Sequence, residues 1–150
     1  MKVVVDTNVI FSAILSSSGK IGQLLLFGRK KIEFYAPNLV KIEVKRHRDK
    51  LIRLGEFSEE DFEDTRDDIF ECLKFISEEQ IPYEYWHNAL PLVRDTDMDD
   101  IAFVVLSEYL DARLWTGDKK LRQGLEAMGY NKGILTDELY VLIQNNENPQ

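Results

Sequence analysis

Cysteine, histidine and tryptophan are scarce in this 150-residue sequence, which contains one cysteine and two residues of each of the other types. The single cysteine, Cys72, cannot form a disulfide bond within the chain, so we expect a reducing, cytoplasmic compartment. The two histidines, His47 and His87, stand apart from each other and from Cys72, and no His/Cys set has the spacing of a zinc site.

Long apolar segments are absent as well. The apolar run within residues 1–15 is short and is interrupted by Asp6, which argues against a signal peptide or a membrane span. An apolar fraction of 44% and a charged fraction of 31% are typical of a soluble globular protein. The length predicts one domain over residues 1–145, followed by a frayed tail at 146–150.

Positively charged residues are also few, since the sequence has 19 Lys and Arg residues against 27 Asp and Glu residues and a net charge of −8. This balance argues mildly against a nucleic-acid-binding protein. It does not exclude a metal-dependent nuclease, because such an enzyme needs clustered carboxylates to hold its ions. The basic residues concentrate at 29–31, 41–50 and 119–122, where solvated helix faces and loop ends explain them equally well.

Short, apolar, β-branched segments alternate with helical patterns along the chain, which is typical of a parallel sheet covered by helices on both faces. We predict strands at 2–5, 32–35, 112–115 and 134–135. Between them we expect longer helices from 37 to about 54, from 58 to about 77 and over 99–110, and shorter helices at 8–15, 21–27, 119–128 and 136–145. The segment 80–93 contains two prolines, so we expect it to be irregular.

Acidic residues occur where several of these elements begin or end. Asp6 directly follows the first strand, and Asp118 follows the third strand through a Thr-Gly turn. Glu43 lies about two turns into the helix after the second strand, and the acid-rich stretch RDTDMDD, residues 94–100, precedes another helix. Because ligands of an open parallel sheet bind outside the carboxyl ends of its strands, we expect these carboxylates to lie at one edge.

Several carboxylates at one place repel each other and raise each other's pKa values, and a divalent cation removes this penalty. Mg²⁺ and Mn²⁺ are hard ions that prefer carboxylate oxygens, so they are the cofactors that the pattern favours. Each acid also has a purely structural explanation. Asp6 could end a strand, Asp118 could belong to a turn, Glu43 could be a surface residue of a helix, and Asp97 or Asp99 could cap one.

Three segments together resemble the PIN-domain family. They are VVVDTNVI at 3–10, APNLVKIEV at 36–44 and DDIAFVVLSEYLDARLWTGDKKL at 99–121, and the resemblance extends over roughly residues 2–143. It implies an α/β fold with three α/β/α layers and a central, mainly parallel sheet of four to five strands. Many PIN domains are Mg²⁺- or Mn²⁺-dependent ribonucleases, and many small prokaryotic members are toxins of toxin–antitoxin pairs.

The resemblance also implies which residues form the site. Asn8 and Thr116 would support it by orienting a carboxylate or a water molecule. Asp97 and Asp99 are additional acids, and either replaces Asp100 if the helix begins at a different residue. The catalytic and metal-binding acids would be Asp6, Glu43, Asp100 and Asp118.

The resulting hypothesis is an enzyme that hydrolyses RNA phosphodiesters through a metal-activated water. Partners would be RNA and, for a toxin, an antitoxin protein, while the sequence leaves the oligomeric state open, a homodimer included. Two alternatives remain, a small-molecule phosphohydrolase of the haloacid-dehalogenase type and a non-catalytic PIN-like interaction module. The first is disfavoured because Asn8 occupies the position at which that type of enzyme has a second aspartate. Candidates for attracting phosphates are Lys45, Arg46, Lys119 and Lys120.

Overall fold

The protein, seen here as a computed structural model that describes residues 1–94 and 98–147, is built around a parallel β-sheet. Over those residues it contains five strands, nine α-helices and two short 3₁₀ turns. In chain order the strands and α-helices are β1 (Lys2–Val5), α1 (Thr7–Leu15), α2 (Lys20–Gly28), β2 (Glu33–Pro37), α3 (Leu39–Arg46), α4 (Arg48–Gly55), α5 (Glu59–Glu71), β3 (Leu73–Ile76), α6 (Tyr83–Val93), α7 (Ile101–Leu110), β4 (Arg113–Trp115), α8 (Lys119–Ala127), β5 (Gly133–Ile134) and α9 (Thr136–Glu147).

The five strands lie in the order β3-β2-β1-β4-β5 and all pairs are parallel. The predicted three-layer α/β/α architecture with a sheet of four to five strands is therefore confirmed, with five strands. β1 lies at the centre, and its residues Val3, Val4 and Val5 have no exposed surface. A strand that is covered on both faces reads as a continuous apolar run, and this explains the sequence KVVV.

The prediction of a single helix from 58 to about 77 was wrong. The helix ends at Glu71, and Leu73–Ile76 forms the edge strand β3, which pairs with β2 through Phe34 opposite Leu73. Ile69, Leu73 and Ile76 are spaced by four and three residues, which also fits a helix. The strand forms because β2 offers an unpaired edge, and that partner is not visible in the local sequence.

The segment 80–93, predicted to be irregular, contains the helix α6 instead. Pro82 lies just before its first residue, where a missing N–H costs nothing. Pro91 lies in its last turns, and the helix is held in place by the buried side chains of Ala89 and Val93 and by packing against α7. Tertiary packing thus outweighs the unfavourable effect of an internal proline.

The helix expected from 37 to about 54 is also divided. Pro37 is the last residue of β2, and α3 and α4 are separated by His47, which has a non-helical backbone. The other predicted strands and helices are present to within two residues at each end, and α9 continues to Glu147. The last part of the predicted tail, 148–150, lies outside the described residues.

Among the described helices, none is by itself long and apolar enough to cross a membrane. α1 and α2 have sufficient length and apolar composition only when they are taken as a pair, and their axes are bent by 103°.

Gly22 allows α2 to pack closely against the connection that precedes it, and this contact can be tested. A Cβ atom at residue 22 would lie 2.3 Å from the backbone oxygen of Ser17, whereas a Cβ at Gly117 would meet nothing within 4 Å. We expect Gly22→Ala to lower the free energy of unfolding by about 1–3 kcal/mol, although alanine is the better helix former. Urea denaturation of both variants measures this effect, with Gly117→Ala as the control that stays within about 0.5 kcal/mol of wild type. An unchanged midpoint for Gly22→Ala would contradict the close approach.

Candidate active site

β1 lies at the centre of the sheet between β2 and β4, with β2 and β3 added on one side of it and β4 and β5 on the other. The side on which successive strands are added therefore changes at β1. In open parallel sheets, ligands bind outside the carboxyl ends of the strands at such a point. Asp6 follows β1 and Thr116 follows β4, and the Asp6 N–H donates a hydrogen bond of 3.0 Å to the carbonyl oxygen of Trp115. This bond continues the pairing of the two strands and brings the Asp6 and Thr116 side chains together.

A chain of hydrogen bonds fixes the Asp6 carboxylate. The Thr116 hydroxyl donates to Asp6 Oδ2 over 3.0 Å and accepts from the Asp118 backbone N–H over 3.0 Å. Asp6 is only 4% exposed and Thr116 is fully buried. Two acids that are 112 residues apart are therefore linked through a single hydroxyl group.

The environment of Asp6 makes its negative charge costly. Burial, and to a smaller extent the negative charges of Glu43 and Asp118, raise the pKa of the Asp6 carboxyl from 3.8 to about 6. The hydrogen bond from Thr116 and the backbone N–H of Thr7 oppose this shift without cancelling it. A buried carboxylate beside two other acids is a site at which a bound cation would relieve repulsion.

Glu43 lies on α3 and is half-buried, facing the same region as Asp6. Its pKa is raised mainly by burial, and the negative charge of Asp99 adds to this effect. The nearby Thr7 hydroxyl and the electrostatic effects of His47 and Arg46 lower the same pKa. Glu43 therefore lies among groups from three separate segments of the chain.

The acids before α7 lie at the same edge of the sheet. α7 leads into the parallel strand β4 and packs on β1, β2 and β4, so its first residues lie at the carboxyl ends of the strands. Asp99 is exposed, and Asp100, the last residue of a 3₁₀ turn before α7, is half-buried. The predicted extra acid Asp97 lies outside the described residues.

Asp118 combines a structural role with closeness to Asp6. Its Oδ1 accepts a hydrogen bond of 3.1 Å from the Leu121 N–H and caps the start of α8. Its negative charge also raises the pKa of Asp6. The sequence left open whether Asp118 belongs to a turn or to a site, and the geometry is compatible with both.

The predicted phosphate-attracting residues divide into two groups. Arg46 is close enough to Glu43 to lower its pKa, and the exposed Lys119 and Lys120 follow Asp118 in the first turn of α8. Lys45 instead lines a groove between α3 and α5. It lies two residues after Glu43 on a helix, so it points to the other side of α3.

Asn8 was predicted to support the site by orienting a carboxylate or a water molecule. It is exposed on α1 and lines a shallow pocket together with Ser12, Gly117 and Asp118. Its side chain therefore lies beside the acids and opens to solvent.

Two residues near the acids were missed by reasoning from the sequence. Thr7 lies directly after Asp6, is 4% exposed, and has its hydroxyl near Glu43. His47 follows Glu43 by four residues, a spacing that brings two residues of a helical segment to one face, and its ring packs edge-on against Phe11. That spacing was a usable signal for His47, whereas Thr7 could be found only from its burial.

The donors in this region fit a hydrated, hard cation. They are carboxylate and hydroxyl oxygens, which Mg²⁺ and Mn²⁺ prefer to the nitrogen and sulfur ligands of zinc. Within residues 1–94 and 98–147, no group of three or more Asp, Glu, His or Cys side chains is arranged to hold a metal ion directly. Mg²⁺ usually keeps several waters and binds through one or two carboxylates, so the site does not require a closed cage.

The raised pKa of Asp6 predicts a stability effect that depends on pH. Because the folded protein keeps the Asp6 proton up to about pH 6 and the unfolded chain loses it near pH 3.8, stability falls as the pH rises between these values. The shift corresponds to about 3 kcal/mol, since one pKa unit is about 1.4 kcal/mol. In EDTA, Asp6→Asn should therefore unfold at a higher urea concentration than wild type at pH 8, with a smaller difference at pH 4. An equal difference at both pH values would contradict the shift.

Comparisons with known proteins bear on the family and the fold of the chain. A search of curated proteins found no significant match to the chain. Among solved structures, a chain from the crystal structure of VapBC2 from Rickettsia felis bound to a DNA fragment from their promoter has a TM-score of 0.68 and 16% identity, over 90% of this chain and 97% of that one. PAE2754 from Pyrobaculum aerophilum has a TM-score of 0.66 and 16% identity, over 96% of this chain and 90% of that one.

At 16% identity, these two likenesses concern the fold alone. The family comparison extends further, because a model of the PIN domain matches residues 4–138. This range contains all four acids that the sequence pattern singled out, and the family is generally one of metal-dependent nucleases. The match covers most of the sequence, and the chain belongs to the PIN domain family.

Proposed function

We propose that this protein is a Mg²⁺- or Mn²⁺-dependent ribonuclease that hydrolyses phosphodiester bonds of single-stranded RNA. The observation that carries the proposal is the Asp6 carboxylate, buried at the switch point of the sheet, with a pKa raised to about 6 and with Glu43 and Asp118 as its charged neighbours. Perturbed carboxylates at the ligand-binding edge of a fold are typical of catalytic sites. Their clustering is explained by a cation that compensates their charge.

Each residue of the site has a definite task in this proposal. Thr116 holds Asp6 in one orientation, and Asp118 is held as the cap of α8, so both carboxylates are preorganised. Glu43 and Asp100 complete the set of ligands. A divalent cation held by these carboxylates would supply the activation of a water molecule and the stabilisation of charge on the leaving oxygen.

Attraction of RNA to a protein with a net charge of −8 must be local. Arg46 next to Glu43, and Lys119 and Lys120 next to Asp118, flank the acids with positive charge. Basic side chains within about 8 Å of a scissile phosphate act inside the Debye length at physiological salt. Lys45, on the other side of α3, is not assigned this role.

We further propose that the protein is the toxin of a toxin–antitoxin pair and acts in the cytoplasm. Support comes from the family and from the likeness to VapBC2 of Rickettsia felis, whose structure contains a DNA fragment from a promoter. An antitoxin would be the protein partner. An adjacent open reading frame that encodes a small DNA-binding protein would be the observation that supports this role.

The haloacid-dehalogenase alternative is not retained, since the chain belongs to the PIN domain family. A non-catalytic interaction module would not need buried, mutually repelling carboxylates, because such groups lower stability unless a ligand compensates them. The persistence of Asp6 and Glu43 in a costly environment therefore favours catalysis over an interaction role.

The proposal predicts that RNA cleavage requires both the metal and Asp6. With Mn²⁺ or Mg²⁺, the wild-type protein should cleave single-stranded RNA, and EDTA should abolish cleavage. Asp6→Asn should lower the rate by more than about 100-fold, since even outer partners of metal ligands are worth about 10–100-fold. A matched control is Asp64→Asn, which changes an exposed acid on α5 and should cleave as wild type does. Cleavage that continues in Asp6→Asn or in EDTA would refute the proposed mechanism.

A second prediction separates the two described acids before α7. Asp100 is half-buried at the helix start, as a ligand that points into a site would be, whereas Asp99 is exposed and acts on Glu43 by its charge. Asp100→Asn should therefore lose cleavage by more than about 100-fold, and Asp99→Asn by less than about tenfold. Rates measured at saturating Mn²⁺ compare the two variants. The reverse order would assign the ligand to Asp99.

A further inference from the structure

Thr7 is the residue near the acids whose chemistry remains unexplained. Its Oγ1 is buried and makes no hydrogen bond of normal geometry to any described residue. The described residues include four buried polar or charged ones, Asp6, Thr7, Ser107 and Thr116. Asp6 and Thr116 bond to each other, and the Ser107 hydroxyl donates to the Val104 carbonyl oxygen, so Thr7 is the exception within this set.

A buried hydroxyl without a partner is unfavourable, and such groups in folded proteins are normally satisfied by protein atoms or by ordered water. The Thr7 side chain is buried at the start of α1, and α1 packs against α3, the helix that carries Glu43. Thr7 is also the first residue of α1 and follows Asp6 directly, which fixes its position relative to that carboxylate. The buried Thr7 hydroxyl therefore lies beside Asp6 and the helix of Glu43.

We infer that Thr7 is a positioning residue whose hydroxyl, together with Glu43, holds a water molecule in the hydration shell of the bound cation. This inference rests on the proposed metal-dependent activity and adds a residue that the four acids do not include. Mg²⁺ and Mn²⁺ keep several waters when they bind to few carboxylates, and each such water needs hydrogen-bond partners from the protein. A hydroxyl can donate to or accept from such a water, whereas a methyl group of the same size cannot.

Three variants test this inference without changing the charge of the site. Thr7→Val removes the hydroxyl and keeps the shape, and Thr7→Ser keeps the hydroxyl. The matched control is Thr136→Val at the first residue of α9, whose Oγ1 accepts a hydrogen bond of 3.0 Å from Trp115 Nε1. Thermal unfolding in EDTA and calorimetric titration with MnCl₂ are measured for each protein.

The two valine variants are expected to differ both in their melting temperature in EDTA and in their affinity for Mn²⁺. Thr7→Val should melt in EDTA at the wild-type temperature or above it, because it loses an unsatisfied group, and should bind Mn²⁺ about tenfold or more weakly. Thr136→Val should melt at a lower temperature and bind Mn²⁺ as wild type does. Thr7→Ser should bind Mn²⁺ nearly as wild type does. In RNA cleavage, Thr7→Val should lower kcat more than it changes KM for RNA.

Each other outcome overturns a specific statement. If wild type does not bind Mn²⁺, the proposed metal-dependent function fails. If wild type binds Mn²⁺ and Thr7→Val binds it equally well, only the role of Thr7 fails. A loss in Thr7→Ser as large as that in Thr7→Val also refutes the role of the hydroxyl. Should Thr7→Val not fold, Thr7→Ala against Thr7→Ser provides the same comparison.

Discussion

The pairing of β1 with β4 is the interaction on which the rest of the site depends. Val5 lies opposite Trp115, and the Asp6 N–H continues the ladder by donating to the Trp115 carbonyl oxygen. This register puts the first residue after β1 beside Thr116, the first residue after β4. Because side chains alternate between the two faces of a strand, a shift of one residue would turn either side chain away from the other. The buried valines of β1 hold this register.

The same pairing also buries a carboxylate close to other negatively charged side chains. Asp6 is buried near Glu43 and Asp118, and its raised pKa measures the cost of its charge in the folded protein. Thr116 reduces this cost by donating to the carboxylate, but does not remove it. Departures from the rule that buried polar groups are satisfied are expected at functional sites, where a ligand completes the environment. The Thr7 hydroxyl departs from this rule, whereas Asp6 is hydrogen-bonded and its cost is that of a buried charge beside other acids.

Most of the central fold could be predicted, because its strands are short apolar runs with clear ends. KVVV, cut off by Asp6, has the short length and β-branched composition of a buried strand, and the structure has it at the centre of the sheet. The errors were in β3, in α6 and in the helix expected from 37 to about 54, which is divided into α3 and α4. β3 has a residue spacing that also fits a helix, and α6 contains a proline, so in both cases the deciding contact comes from another element, β2 for β3 and α7 for α6. Local sequence patterns do not contain that contact.

The sequence by itself determined which residue types follow the strands, and hence that acids such as Asp6 and Asp118 would gather at one edge of a parallel sheet. Tertiary structure alone decided which side chains face each other. Glu43 and Lys45 are two residues apart, yet one lies among the acids and the other in the groove against α5, because successive helical side chains point about 100° apart. The burial of the Thr7 hydroxyl was likewise invisible in the sequence, since burial depends on how α1 packs against α3.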